Sequence, residues 1–141
     1  MATEYSIQIA SEVNNLTQVE SFIEQLLAEG KISESVYGNV IVAITEATLN
    51  AIKHGNLENP KKIVSINTSI NSSDIEFTIV DEGSGFDYNN LPDPTDPSNL
   101  EKVNGRGIFI IQNLADHLEF DNNGSTLKIS FSLNVAEQIE A

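Results

Sequence analysis

Hydrophobic positions along the chain switch between two spacings, and the switching predicts the order of its elements. Apolar residues at every second position are typical of strands, and apolar residues three or four apart are typical of helices. The predicted strands cover 4–10, 62–70, 74–81, 118–121 and 125–133. The first two predicted helices cover 14–30 and 33–54, and helical spacing restarts within 105–117, after the glycines at its beginning. The second helix is expected to begin after Ser33 and to run to about His54, with Gly55 ending it.

The resulting order, β-α-α-β-β-loop-α-β-β, separates strands from helices instead of alternating them strictly. That order predicts an α+β fold, a two-layer α/β sandwich in which helices cover one face of a mixed, mostly antiparallel sheet. It argues against a doubly wound parallel sheet. The other face of the sheet would be left partly open, which is a natural place for self-association.

The bulk properties of the chain narrow its class. Its 141 residues fit one domain, 1–141, that can bury a core without cross-links. The sequence contains no cysteine, which excludes disulfides, zinc–thiolate sites and cysteine nucleophiles. No run approaches the roughly 18 apolar residues of a membrane span, and the first ten residues do not resemble a signal peptide. We therefore expect a cytoplasmic protein without a membrane segment.

The charge of the chain is strongly negative. Seven basic residues against 21 acidic ones give a net charge of −14. Such a chain repels phosphate backbones and anionic lipids, so direct binding to nucleic acid is not expected. The charge serves either solubility or attraction to a basic protein partner, and the composition does not decide between them.

Glu46 and Asn50 lie four residues apart in the second helix, in the segment EATLNAIKHGN. That spacing places both side chains on one face of a helix. Apolar neighbours such as Val42 and Ala47 suggest that this face is covered. An Asn oxygen can ligate Mg²⁺, and a Glu can take a proton from a hydroxyl. The alternative is a surface Glu beside an Asn with ordinary hydrogen bonds.

The segment DEGSGFD, residues 81–87, ends a predicted strand with a carboxylate and two glycines. Asp81 shares its strand face with the apolar residues before it, so its side chain points toward the helix layer. An inward carboxylate there can accept a hydrogen bond from an exocyclic amine such as that of adenine. Gly83 and Gly85 leave room for a flat ring. The alternative is an acidic turn.

Two further segments contain glycines at element boundaries. Gly105 and Gly107 flank Arg106 just before a predicted helix, where free N–H groups can bind phosphate. The alternative is that these glycines only mark the boundary between a loop and a helix. The stretch before them, 88–104, is long, polar and rich in proline, as functional or disordered loops are. Thr126, in the segment GSTLKI, stands at a hairpin turn.

Together, EATLNAIKHGN, DEGSGFD, GRGIFII and GSTLKI resemble the motifs of the GHKL (histidine-kinase-like) ATPase superfamily. The resemblance covers about residues 5–134, and within the superfamily the sequence is similar to the anti-sigma factor serine/threonine kinases of bacterial partner switching. It implies a Bergerat-type ATP-binding fold and the use of ATP and Mg²⁺.

The resemblance also implies roles for individual residues. Asn50 matches the Mg²⁺ ligand that bridges to the ATP phosphates, and Glu46 matches the general base. Asp81 matches the carboxylate that reads the adenine amine. Gly83 and Gly85 would border the adenine pocket.

The remaining motif residues are assigned to the phosphates and to the support of the pocket. Gly105, Arg106 and Gly107 would line the triphosphate, and the stretch 88–104 corresponds to the ATP lid. Thr126 matches a Ser/Thr that supports the adenine-reading carboxylate or its water.

The function implied is an ATP-dependent serine/threonine protein kinase that acts as an anti-sigma factor. Its phosphoacceptor would be a small antagonist protein, and a sigma factor and a second copy of the chain are further expected partners. The chain differs from full histidine kinases, because no phosphoacceptor-histidine helix pair precedes the first motif. His54 lies inside that motif and is not expected to be a phosphoacceptor.

Two alternatives fit the same motif residues. One is a nucleotide-gated protein-binding module without kinase activity. The other is a detached histidine-kinase catalytic domain that acts on a separate histidine protein.

Overall fold

The computed structural model of the protein describes residues 3–83 and 103–133, with only the backbone at 103–106 and 123. The strands are β1 (Thr3–Ala10), β2 (Ile63–Ile70), β3 (Asp74–Val80), β4 (His117–Asp121) and β5 (Thr126–Ser132). The helices are α1 (Leu16–Ala28), α2 (Glu34–Asn50) and α3 (Val103–Leu114), and a π-helical turn, Ala51–Gly55, continues α2. This order of elements confirms the one predicted from the hydrophobic pattern.

The five strands form one sheet in the order β1-β2-β3-β5-β4. All four pairings within the described part of the chain are antiparallel. The expectation of a mostly antiparallel sheet is confirmed, and its mixed character is not found in these strands. Strand β3 lies at the centre, so its C-terminal end, which leads to Asp81, is flanked by β2 and β5.

One face of the sheet is buried and the other is open. In β3 the inward residues Ile75, Phe77 and Ile79 are at most 2% exposed, whereas the residues between them are partly or fully exposed. The same alternation runs through β2 and β5, and α2 contacts both β3 and β5. The predicted two-layer α+β arrangement is therefore confirmed.

The open face of the sheet is polar. On β1 and β2 the hydroxyl of Ser6 donates to Oδ1 of Asn67 at 2.9 Å, and Glu76 on β3 is exposed. Self-association through this face stays a prediction, since the structure contains a single chain.

Helix α2 lies in the middle of the helix layer. Val40 and Ile44 on its sheet side are fully buried. Ala47 is also buried, at 2% exposure, on the side where α3 packs against α2. Val42, however, is 44% exposed, so the expectation that the face carrying Glu46 and Asn50 is covered is wrong at this residue.

Helix α3 begins earlier than the sequence suggests. It starts at Val103, so Gly105, Arg106 and Gly107 lie inside the helix and not just before it. Glycine inside a helix costs about 1 kcal/mol relative to alanine, which is why two glycines so close together in the sequence predict a helix boundary. Here the close approach of α3 to α2 at Gly107 accounts for the exception. Of the expected lid, 88–104, only its last two residues belong to the described part, and they are helical.

The helices of the described residues are too short or too polar to cross a lipid bilayer.

Candidate functional site

A cleft opens where α2 and its π-helical turn face the C-terminal end of β3 and the start of β5. It is partly open to solvent, and the space between its walls, open solvent included, is about 510 Å³. Its walls are largely apolar, and a few polar side chains, Asn50, His54 and Asp81 among them, interrupt this lining. An apolar cleft with few polar groups is suited to a flat ring that also makes specific hydrogen bonds.

Asn50 is the last residue of α2 and lies in the wall of the cleft. Both polar atoms of its carboxamide are buried, and neither has a hydrogen-bond partner among the residues that the structure describes. An unpaired buried amide costs about 1–3 kcal/mol. The Asn50 carboxamide therefore needs a partner beyond the described residues, such as a ligand, an ion or water.

Gly107 on α3 faces the Asn50 carboxamide directly. A methyl group on Gly107 would lie 2.6 Å from Nδ2 and 3.2 Å from Oδ1 of Asn50. Only glycine allows α3 to approach the end of α2 this closely. The segment GRGIF therefore contributes to the site by the absence of a side chain at this position.

Asp81 follows β3 and lines the opposite wall of the cleft. Its backbone N–H donates to the Ser125 carbonyl at 3.0 Å, and its Oδ1 accepts a hydrogen bond from the Gly83 N–H at 2.8 Å. Burial raises the pKa of the Asp81 carboxyl, although the Gly83 N–H and the charge of Lys62 oppose the rise. Its inward direction was predicted from the strand alternation.

Two glycines bring the Asp81 turn against the end of the π-helical turn. A methyl group on Gly55 would clash with the Asp81 carboxylate, and one on Gly83 would clash with the Gly55 carbonyl oxygen. The segment HGN and the segment DEG therefore pack backbone to backbone. This contact fixes the distance between the two motifs.

His54 occupies the wall between Asn50 and Asp81. Burial and the adjacent Lys53 charge lower the pKa of its imidazole, and Glu58 opposes them weakly. The imidazole is therefore neutral near pH 7. Sequence reasoning dismissed His54 as a phosphoacceptor but missed its place in the cleft, which the π-helical turn sets by adding one residue to the last turn.

The predicted site residues are brought together only in part. Asn50 and Asp81 line the cleft, and Gly107 and Gly83 contact them. Glu46 is half-buried one turn before Asn50, outside the cleft wall.

Thr126, Gly105, Arg106 and Gly85 complete the predicted set. Thr126 is buried opposite Val80 in the register of β3 and β5, and its hydroxyl accepts a hydrogen bond from Asn122 at 3.1 Å. Gly105 and Arg106 lie in the first turns of α3. Gly85 and the Arg106 side chain lie outside the described residues.

Comparison with known proteins identifies the family of this fold and cleft. A family model described as the histidine kinase-like ATPase domain matches residues 9–131, most of the chain. The chain belongs to the histidine kinase-like ATPase family. The superfamily resemblance drawn from the four motifs is thereby confirmed.

Relatives within the family carry names from the branch that the motifs resemble. The chain is 30% identical to a serine-protein kinase RsbW from Oceanobacillus iheyensis, over 69% of this chain and 65% of the relative, just under two thirds of its length. It is 29% identical to an anti-sigma F factor from Clostridium beijerinckii over 96% of this chain and 95% of the relative. An anti-sigma F factor from Bacillus cytotoxicus is 30% identical over 89% of this chain and 87% of the relative.

A solved structure shares the fold. The crystal structure of the RsbU and RsbW domains of a Mycobacterium tuberculosis protein superposes with a TM-score of 0.62 at 14% identity. The match covers 92% of this chain and 32% of that one. At this identity the likeness supports the two-layer fold and not the chemistry.

Proposed function

We propose that the protein binds ATP and Mg²⁺ in this cleft and acts as a cytoplasmic serine/threonine protein kinase and anti-sigma factor. The observation that carries the proposal is the buried carboxamide of Asn50, whose two polar atoms have no partner among the described residues. Family membership and the names of the relatives support the same activity.

The adenine base would enter between the apolar walls of the cleft. The Asp81 carboxylate would accept a hydrogen bond from its exocyclic amine, while the Gly83 N–H holds the other carboxylate oxygen in place. Gly83 and Gly85 would border the ring. Thr126 would support Asp81 through the β3–β5 contact.

The phosphates would lie at the other end of the cleft, near Asn50 and the start of α3. Bound Mg²⁺ would neutralise charge that develops on the phosphates. Asn50 fits this ion, because its Oδ1 is buried and unpaired within the described part of the chain and amide oxygens are suitable ligands. Gly105, Arg106 and Gly107 would contribute N–H groups and one cation.

The reaction would be direct transfer of the γ-phosphoryl group. The serine hydroxyl oxygen forms a bond to the γ-phosphorus, and the bond from that phosphorus to the β–γ bridging oxygen breaks, so that ADP leaves with the electron pair. Glu46, one turn from Asn50, would take the hydroxyl proton. A positioned base contributes roughly 10²–10⁴ in rate.

The partners follow from the family branch and from charge. The phosphoacceptor would be a small antagonist protein, and a sigma factor would compete with it for the kinase. A net charge of −14 favours a partner with a basic surface. A homodimer through the open sheet face is part of the same proposal.

The first test is calorimetric titration of ATP, with and without Mg²⁺. We expect the wild type to bind with Mg²⁺ dependence, Asn50→Ala to lose that dependence, and Asp81→Asn to lose adenine binding. Absence of nucleotide binding by the wild type would overturn the proposal. Transfer of labelled phosphate to a purified antagonist protein then tests the kinase step, and acid stability of the product distinguishes phosphoserine from phosphohistidine.

A nucleotide-gated binding module without kinase activity is the second candidate. The residues of the cleft fit this candidate as well, because Asn50 and Asp81 can bind a nucleotide without a base at Glu46. This candidate predicts ATP binding, ATP-dependent partner affinity and no phosphate transfer, so the transfer assay decides between the two.

A further inference from the structure

Asn56 joins segments that are distant in sequence. It follows the π-helical turn, is fully buried, and all three polar positions of its carboxamide are paired. Its Nδ2 donates to Ser11 Oγ at 2.8 Å and to the Ile63 carbonyl at 3.1 Å. Its Oδ1 accepts from the Glu82 N–H at 2.7 Å. A buried group with this many partners rigidly fixes the segments it contacts.

Glu82 completes the connection from the other side. The Ile63 N–H donates to Oε2 of Glu82 at 2.6 Å. Asn56 and Glu82 thus hold both polar backbone groups of Ile63, and they also hydrogen bond to each other. We call this closed ring of three hydrogen bonds the Asn56–Glu82 clamp.

The clamp replaces a missing part of the sheet. The β2–β3 ladder ends at the pair Ser65 and Val80. If the ladder continued in the same register, Ile63 would pair with Glu82. At this position the backbone groups of Ile63 bind the side chains of Asn56 and Glu82, and not the backbone of the neighbouring strand. The backbone after Val80 is therefore free to turn into the cleft while it remains tied to β2.

The turn that presents Asn56 is itself strained. Leu57 and Glu58 have φ angles of 54° and 55°, a left-handed conformation that is uncommon for non-glycine residues. The Asn56 N–H donates to Ala51 and the Glu58 N–H to Ile52, at 2.8 and 2.7 Å. Such strain persists where the surroundings impose it and is frequent at functional sites.

We infer that Asn56 and Glu82 are positioning residues that set the place of the Asp81 carboxylate in the cleft. Asp81 is bound through the Ser125 carbonyl to the residue just before β5, and the clamp binds the next residue, Glu82, to β2. Held from both neighbouring strands, the carboxylate meets the base at one fixed distance. The inference rests on the proposed function, in which Asp81 reads the adenine amine.

The test compares ATP with ITP, which has a carbonyl where adenine has its exocyclic amine. Glu82 is exposed, so its replacement leaves the core intact. Glu82→Ala removes the acceptor for the Ile63 N–H, and Glu82→Gln keeps an oxygen there. Since one hydrogen bond corresponds to about a three- to tenfold change in affinity, we expect Glu82→Ala to narrow the ATP:ITP affinity ratio by that factor. Glu82→Gln should retain the ratio.

Asn56→Ala and Ser11→Ala form a second pair. Asn56→Ala breaks the clamp and should narrow the ratio further. Ser11→Ala removes a partner of the same buried amide but leaves its bond to Glu82, so it should lower the melting temperature without changing the ratio. An ATP:ITP affinity ratio that is unchanged in Glu82→Ala would overturn the inference. So would a ratio that falls as far in Ser11→Ala as it does in Asn56→Ala.

Amide hydrogen exchange separates this inference from the proposed function. The Glu82 N–H should exchange faster in Asn56→Ala than in Ser11→Ala, whether or not nucleotide binds. If the wild type binds neither ATP nor ITP, the proposed function fails and the exchange rates alone decide whether the clamp holds this turn. Equal Glu82 exchange in the two variants would then refute it.

Discussion

Gly107 and Asn50 face each other at the contact of α3 with α2, where a methyl group on the glycine would lie 2.6 Å from Nδ2 of the asparagine. Gly107→Ala should therefore displace the carboxamide and weaken Mg²⁺-dependent ATP binding. Calorimetry with and without Mg²⁺ measures this loss.

Gly38 provides a matched control for this substitution. It also lies in a helix, α2, and a methyl group there would have open space around it. Gly38→Ala should raise the free energy of unfolding by roughly 0.5–1 kcal/mol and leave ATP binding unchanged. Equal ATP affinity in both alanine variants would contradict the assigned role of Asn50.

Gly55→Ala should disturb the adenine end of the cleft. A methyl group there would clash with the Asp81 carboxylate, whose Oδ1 would lie 2.8 Å away. We expect a lower melting temperature and weaker binding of ATP, because the carboxylate must move out of its place. Thermal melting and calorimetry check the two effects, and full ATP affinity in this variant would show that Asp81 does not contact the base.

Asp81→Asn, which is expected to lose adenine binding, should nevertheless stabilise the fold. Burial raises the pKa of Asp81 in the folded protein, so the folded state binds its proton more tightly than the unfolded state does. The ionised carboxylate therefore destabilises the fold, an effect that is absent below the unfolded pKa of about 3.9 and complete above the folded pKa. The variant should melt at a higher temperature than the wild type at pH 7, with the gap closing toward pH 4.

The control for this prediction is Glu24→Gln, which removes one negative charge from an exposed position of α1. It accounts for the general relief of repulsion in a chain with a net charge of −14. Melting curves between pH 4 and 8 compare the three proteins. If Asp81→Asn raises the melting temperature at pH 7 no more than Glu24→Gln does, burial of the Asp81 carboxylate does not destabilise the fold.

Glu46→Gln tests the proposed base. The amide has nearly the same shape but cannot take a proton from the serine hydroxyl. Phosphate transfer should fall by about 10²–10⁴-fold, while ATP affinity stays close to that of the wild type. Single-turnover transfer of labelled phosphate measures the rate. An unchanged rate of phosphate transfer would show that Glu46 is not the base. Loss of ATP binding would show that Glu46 contributes to nucleotide binding instead.

The candidate site was predictable where it depends on local spacing. Asn50 was identified from its position four residues after Glu46, and Asp81 from the two-residue alternation of β3. Gly107 was associated with phosphate, but its contact with Asn50 was not foreseen, because that contact depends on how α3 packs on α2. Asn56 and Glu82 were missed, since an Asn and a Glu beside glycines look like ordinary turn residues.

The sequence by itself determined the order of the elements, the buried face of each strand and the face of α2 that carries Glu46 and Asn50. These follow from periods of 2 and 3.6 residues, which are properties of the local backbone. The tertiary structure alone decided the start of α3, the π-helical turn at Ala51–Gly55 and the Asn56–Glu82 clamp. Each of these arises from contacts between segments far apart in the chain, such as Gly55 with Gly83, and such contacts are fixed only when the layers pack.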